Sequence, residues 1–186
     1  MKKFTLKEKK IATKTKTQEN SRPAVRMIKT SHDLPKETRE DMVRLLNQHL
    51  ADTFDLFSQT KQAHWNVKGP QFYQLHELYD ELAGELLAYT DLIAERATAL
   101  GGAATGTVRM AAQASRLPEF KDSPVGSRES VQLLVERYAA LAESTRQGID
   151  TADEAGDMDT ADLLTEVSRG LDKSLWFLEA HIQQGE

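Results

Sequence analysis

The chain has no cysteine in 186 residues. Disulfides, thiolate chemistry and cysteine-built metal sites are therefore excluded. Proline is scarce at five residues, and aromatics make up only 6% of the chain. No run of eighteen apolar residues occurs, so no segment reads as a membrane-spanning helix. The first thirty residues lack an apolar signal core, and a cytoplasmic location is expected. The phosphate-cradling patterns GxGxxG and GxxxxGK[ST] are missing. So is Glu-x-x-His, the pair that in-bundle di-iron proteins place on inward helix faces. Lys29, Leu46, Lys61, Tyr73 and Leu178 stand three residues before the five histidines His32, His49, His64, His76 and His181. No internal repeat and no strand-like alternation is present.

Charge is unevenly spread. Residues 1–29 carry ten Lys and Arg against Glu8 and Glu19, a net of +8. The rest holds fourteen basic and twenty-seven acidic residues, a net of −13. We read residues 1–30 as a basic, flexible arm, too poor in large apolar side chains to offset its own ordering. Lys2, Lys3, Lys7, Lys9, Lys10, Lys14 and Lys16 are its candidate phosphate contacts. A solvated tail without a partner fits the same charges, and a transit peptide is a weaker third reading. Residues 31–186 read as one domain.

Helical periodicity dominates that domain. From Gln71 to Leu100, apolar residues recur at Leu75, Tyr79, Leu82, Leu86, Tyr89, Ile93, Ala97 and Leu100, in steps of three and four. A first helix is expected after Asp33-Leu34-Pro35, with Asp33 as its cap, Val43, Leu46, Leu50 and Phe57 inward, and Leu45, Phe54 and Leu56 widening that face. Gly101-Gly102 stops the second helix. A long link follows, with a short helix over 108–116. Ser127 is expected to cap the third long helix and Asp159 the fourth. The link lets the third long helix start at the far end, as an up-down-down-up four-helix bundle requires.

One stripe on the second helix has chemistry in it. His76 and Asp80 are four residues apart, and so are Asp91 and Glu95, so each pair points one way. Eleven residues separate Asp80 from Asp91, nearly three whole turns, which puts both pairs on one side. They are also about 16 Å apart along the axis. Metal ligands lie roughly 2–2.6 Å from their ion. One straight helix therefore cannot bring the pairs together, but a second copy lying antiparallel across Gly84 could, giving two sites per dimer. A solvated acidic face is the plainer alternative. The mixture of imidazole and carboxylate suits iron, manganese or zinc. His64 falls near the inner face at the end of the first helix, where a lone histidine is more often packing than ligand.

Lys61-Gln62-Ala63-His64-Trp65-Asn66-Val67-Lys68-Gly69, His76-x3-Asp80, Asp91-x3-Glu95-Arg96-Ala97, Asp159-Thr160-Ala161-Asp162 and Leu171-Asp172-Lys173-x2-Trp176-Phe177 together resemble the Dps family of mini-ferritins. The resemblance spans residues 34–182. It implies an all-α, ferritin-like four-helix bundle assembled as a hollow homo-dodecamer. It implies a ferroxidase that oxidises Fe(II), preferably with hydrogen peroxide rather than oxygen, and stores ferric mineral, with zinc or manganese competing for the site. His64, His76 and Asp80 of one chain and Asp91 and Glu95 of its neighbour would be the ligands, with Trp65 an aromatic beside them. Asp157, Asp159 and Asp162, with Glu154, would line a pore admitting iron; helix-dipole complementation is the plainer reading. Many members also coat DNA, which keeps open a protein that mainly compacts DNA through its arm. His32, His49 and His181 are left open as further metal ligands.

Overall fold

In the computed structural model, residues 25–120 and 126–183 are described. Among the described residues five helices run in order: α1 Lys36–Asn66, α2 Phe72–Ala99, α3 Val108–Ala114, α4 Ser127–Glu154 and α5 Met158–Ala180. α1, α2, α4 and α5 form a four-helix bundle, and the short α3 lies in the long crossover between α2 and α4. Among the described residues no strand forms; two isolated bridges, Met27 to Gly102 and Lys68 to Gly126, tie loops to the bundle ends. The Lys68 bridge fixes the topology. It brings the start of α4 to the turn between α1 and α2, so α4 runs parallel to α2 and α5 returns beside it. The Ser127 hydroxyl donates to the Lys68 carbonyl at 2.8 Å and pins the same corner.

The expected apolar stripe of α2 is buried except for Tyr89, which is half-buried. Leu75, Tyr79, Leu82 and Leu86 join Leu134, Tyr138 and Leu141 of α4 and Val167 and Leu171 of α5 in one core cluster. A second cluster gathers Met42, Val43, Leu46 and Leu50 of α1 with Ile93, Ala97 and Leu100. On α1, Val43, Leu46, Leu50 and Leu56 are buried as expected, while Phe57 is only half-buried. The helix is packed by α2, α3 and α4, so its inward face is broader than one stripe.

The helix starts differ from the sequence expectation. Pro35, not Asp33, is the N-cap of α1, and no side chain bonds there. Gly126 caps α4, and Ser127 is its first residue. Asp157, not Asp159, caps α5 by accepting from the Thr160 amide. An N-cap carboxylate reaches the amide three residues on, which Asp157 does from just outside the helix while Asp159 already lies within it.

The arm's expected end at residue 30 falls in a strip that lies along the bundle. The Ile28 amide donates to the Gly101 carbonyl at 2.8 Å, and Val25 and Met27 pack on the second core cluster. Gly101 has φ +85°, a left-handed cap that favours glycine. Arg39 donates to the Leu100 carbonyl at 2.9 Å, satisfying the helix end beside it. Lys2, Lys3, Lys7, Lys9, Lys10, Lys14 and Lys16 lie outside the described residues.

The crossover is bolted to α1 rather than draped over it. Asp52, 1% exposed, accepts from the Arg116 amide at 2.8 Å and from its guanidinium at 2.9 and 2.6 Å. Ser115 donates to Asp55 at 2.6 Å, and Gln59 to the Pro118 carbonyl at 3.1 Å. Arg137 of α4 reaches the Glu119 carbonyl at 2.8 Å.

Candidate metal centre

The end of α1 and the start of α2 meet through two histidines. His64 lies in the last turn of α1 and His76 in the second turn of α2. Their rings stack, with centroids 3.8 Å apart and planes 18° from parallel. The Nδ1 of His64 lies 2.7 Å from the His76 carbonyl. The Nδ1 of His76 lies 3.0 Å from the His64 carbonyl. A carbonyl can only accept, so each Nδ1 carries the proton and donates. Each Nε2 is then left with a free lone pair. A carbonyl behind the ring is the usual way a protein fixes the tautomer and direction of a metal-binding imidazole. Phe72 tilts against His76 with centroids 5.2 Å apart and closes one side.

Asp80, one turn beyond His76, has a side chain 60% exposed. Lys61 of α1 donates to its Oδ1 at 2.6 Å. That bond and then the ammonium charge hold the Asp80 carboxyl below its ordinary range. The same ammonium stands 5.9 Å from the ring centre of Trp65, which is 62% exposed. Lys61 is the residue sequence reasoning passed over. It opens the quoted Lys61-Gln62-Ala63-His64-Trp65 motif and stands one helical turn before His64, on the same face.

Asp91 and Glu95 do not join this group. They lie further along α2, both exposed. Among the described residues of one chain, no three His, Asp or Glu side chains gather closely enough to hold a metal ion. His32 and His181 each bond locally, and His49 is buried away from the others. Between the two halves, α2 presents Gly84, Leu87, Ala88, Asp91 and Ala94 along a shallow, largely apolar groove of about 540 Å³. A Cβ on Gly84 would meet nothing within 4 Å, and Leu87 and Leu92 are 48% and 37% exposed. Among the described residues, Leu50 of α1 and Ala104 and Gly106 of the crossover line the other side of the groove.

At the α4–α5 turn the acidic residues separate into two kinds. Asp157 is 2% exposed and bonds Arg96 of α2 at 2.5 Å and the Thr160 hydroxyl at 2.6 Å. Its carboxylate is committed to the cap and the ion pair, not to solvent. The Asp159 side chain is 83% exposed and only 3.6 Å from Arg96, and Asp162 and Glu154 are exposed too.

A bundle of four long helices with a short one in its crossover, carrying outward His and carboxylate pairs, defines a ferritin-like protein. Residues 43–186 match the ferritin family, as a ferritin-like domain. A DNA protection during starvation protein from Agrobacterium fabrum (strain C58 / ATCC 33970) is 45% identical over 156 residues, covering 84% of this chain and 96% of that one. DpsC from Streptomyces coelicolor matches in structure with TM-score 0.82 at 33% identity, over 86% of this chain and 94% of that one. The DPS protein from Vibrio cholerae O1, described as a member of a broad superfamily of ferritin-like diiron-carboxylate proteins, matches with TM-score 0.79 at 27% identity, over 86% of this chain and all of that one. The chain belongs to the Dps family.

Proposed function

We propose that the protein is a ferroxidase that stores iron, working at centres shared between antiparallel copies of α2 within a hollow dodecamer. Iron is its substrate and cargo. The carrying observation is the reciprocal bonding of His64 and His76, which leaves two imidazole nitrogens free beside Asp80. Asp91 and Glu95, which lie too far along α2 to reach those nitrogens, come from the neighbouring copy. The apolar groove around Gly84 supports this arrangement, because it leaves a face of α2 open for another helix to cover.

The chemistry follows from the donor types. Asp80, Asp91 and Glu95 are hard anions and stabilise Fe(III) over Fe(II). Neutral imidazole from His64 and His76 adds ligation without adding charge. Two ferrous ions each give one electron to hydrogen peroxide, its O–O bond breaks, and with two protons it leaves as two waters. Taking both electrons together avoids free hydroxyl radical, which protects DNA near the protein. Trp65, whose ring lies 5.9 Å from the Lys61 ammonium, is the aromatic available to intercept a stray oxidising equivalent. Asp159 and Asp162 attract Fe(II) at the α4–α5 turn, while Asp157 holds that turn in shape.

The test is Asp91→Ala with Glu95→Ala. Both side chains are exposed in the single chain, so the bundle should fold normally. Iron oxidation by peroxide should fall to the rate in buffer. An unchanged rate would remove the shared centre.

A second reading rests on charge. The +8 segment before residue 30 suits non-specific contact with DNA phosphates. The two activities are compatible, since a cage held on DNA consumes iron and peroxide where they do harm.

A further inference from the structure

Lys61 presents a problem that the ligand set alone does not resolve. A ligand carboxylate is most useful when it is free. Here the Asp80 Oδ1 is taken by an ammonium at 2.6 Å. The lysine is not a loosely placed surface residue: its side chain is only 22% exposed, against 60% for Asp80. Its ammonium also faces the Trp65 ring from 5.9 Å, so it sits between the candidate ligand and the indole. The two stacked histidines lie beside the same carboxylate. One positive charge therefore stands where the candidate centre would take another.

We propose that Lys61 is a tethered cation that keeps the metal-free centre charge-balanced, and that a divalent ion binds by displacing its ammonium from Asp80. The proposal rests on the shared-centre reading for the identity of the ligands. It adds that binding is an exchange of cation for cation rather than filling of an open anionic site. Three consequences follow. The centre gives up affinity for divalent ions in return for an Asp80 carboxylate held in place before they arrive. Removing the ammonium tightens binding, whereas a lysine that merely orients Asp80 would loosen binding when lost. Finally, the ammonium must leave its place near Trp65 as the ion enters, so the indole reports the exchange.

The experiment uses the assembled protein stripped of metal by chelation, with zinc as a redox-silent probe that does not quench indole emission. Zinc affinity is measured by competition with a chelating indicator for the parent, Lys61→Gln, Lys61→Arg and Asp80→Asn. Lys61→Gln should bind zinc roughly tenfold tighter, about the effect of removing one charge near a dication in water-like surroundings. Lys61→Arg, which keeps the charge, should bind like the parent. In a Trp176→Phe background only Trp65 remains to emit. Zinc should then shift its emission with Lys61 present and leave it unchanged in Lys61→Gln.

Binding in Lys61→Gln that is equal to or weaker than the parent, with Asp80→Asn still impaired, overturns the tethered cation and leaves the centre standing. Zinc affinity indifferent to Asp80→Asn removes the centre itself, and the proposal with it.

Discussion

His49 should make this fold sensitive to mild acid. The side chain sits on α1 facing α4, 2% exposed, and its Nδ1 has no hydrogen-bond partner. A Cβ on Gly148 of α4 would lie 2.7 Å from its Nε2, so the ring fills the space that glycine leaves. Burial is the main force on its proton affinity; the Arg116 guanidinium adds to it, and Asp52 opposes both weakly. Together they push the His49 pKa down to about 4 from 6.5. The unfolded chain therefore takes up a proton on this residue at a higher pH than the folded one does. The stability contributed by neutral His49 is fully present above pH 6.5 and is lost as pH falls from there toward 4. The fall from 6.5 to about 4, at 1.36 kcal/mol per pH unit, corresponds to about 3 kcal/mol. Urea denaturation at fixed protein concentration, from pH 7.5 down to 4.5, compares the parent with His49→Leu. The parent should lose most of that difference relative to the variant, which has nothing to titrate at this position. Any packing cost of leucine shifts its whole curve and cancels from the slope. Parallel curves for the two proteins would refute the reasoning.

Two further perturbations probe other parts of the molecule. Asp157→Ala removes the α5 cap, worth about 1 kcal/mol, and strips Arg96 of a buried partner, so a loss of roughly 2–3 kcal/mol is expected by denaturation. Asp157→Asn should recover about half of it by restoring the cap; a loss in Asp157→Ala below about 0.5 kcal/mol would mean the turn is held by other contacts. Deleting residues 1–24, while keeping the strip at 25–30 that lies on the bundle, should abolish a DNA gel shift that in the full chain weakens steeply with salt. A shift that survives the deletion would place DNA contact on the body.

The four long helices were legible because each hides an apolar stripe whose period is set by backbone geometry alone. Leu75 to Leu100 on α2 could be assigned to the core from spacing, and nearly all of those side chains are buried. Capping was less legible. Asp157 and Asp159 are both carboxylates near a helix start, and which one accepts the Thr160 amide depends on where the chain turns at Gly156, with its φ of +77°. Phe57, expected on the inward stripe of α1, is only half-buried, because the width of that face depends on how many neighbours pack it.

For the candidate centre, the sequence by itself determined the donor types, their shared face on α2 and the distance that keeps Asp91 and Glu95 from His76 and Asp80 in one chain. Those follow from side-chain chemistry and helix rise, which are local properties. Only the tertiary structure decided that His64 meets His76, that each ring is held by the other's carbonyl, and that Lys61 occupies Asp80. Those depend on how α1 and α2 cross at their shared turn, and a crossing is fixed by packing between residues distant in the chain.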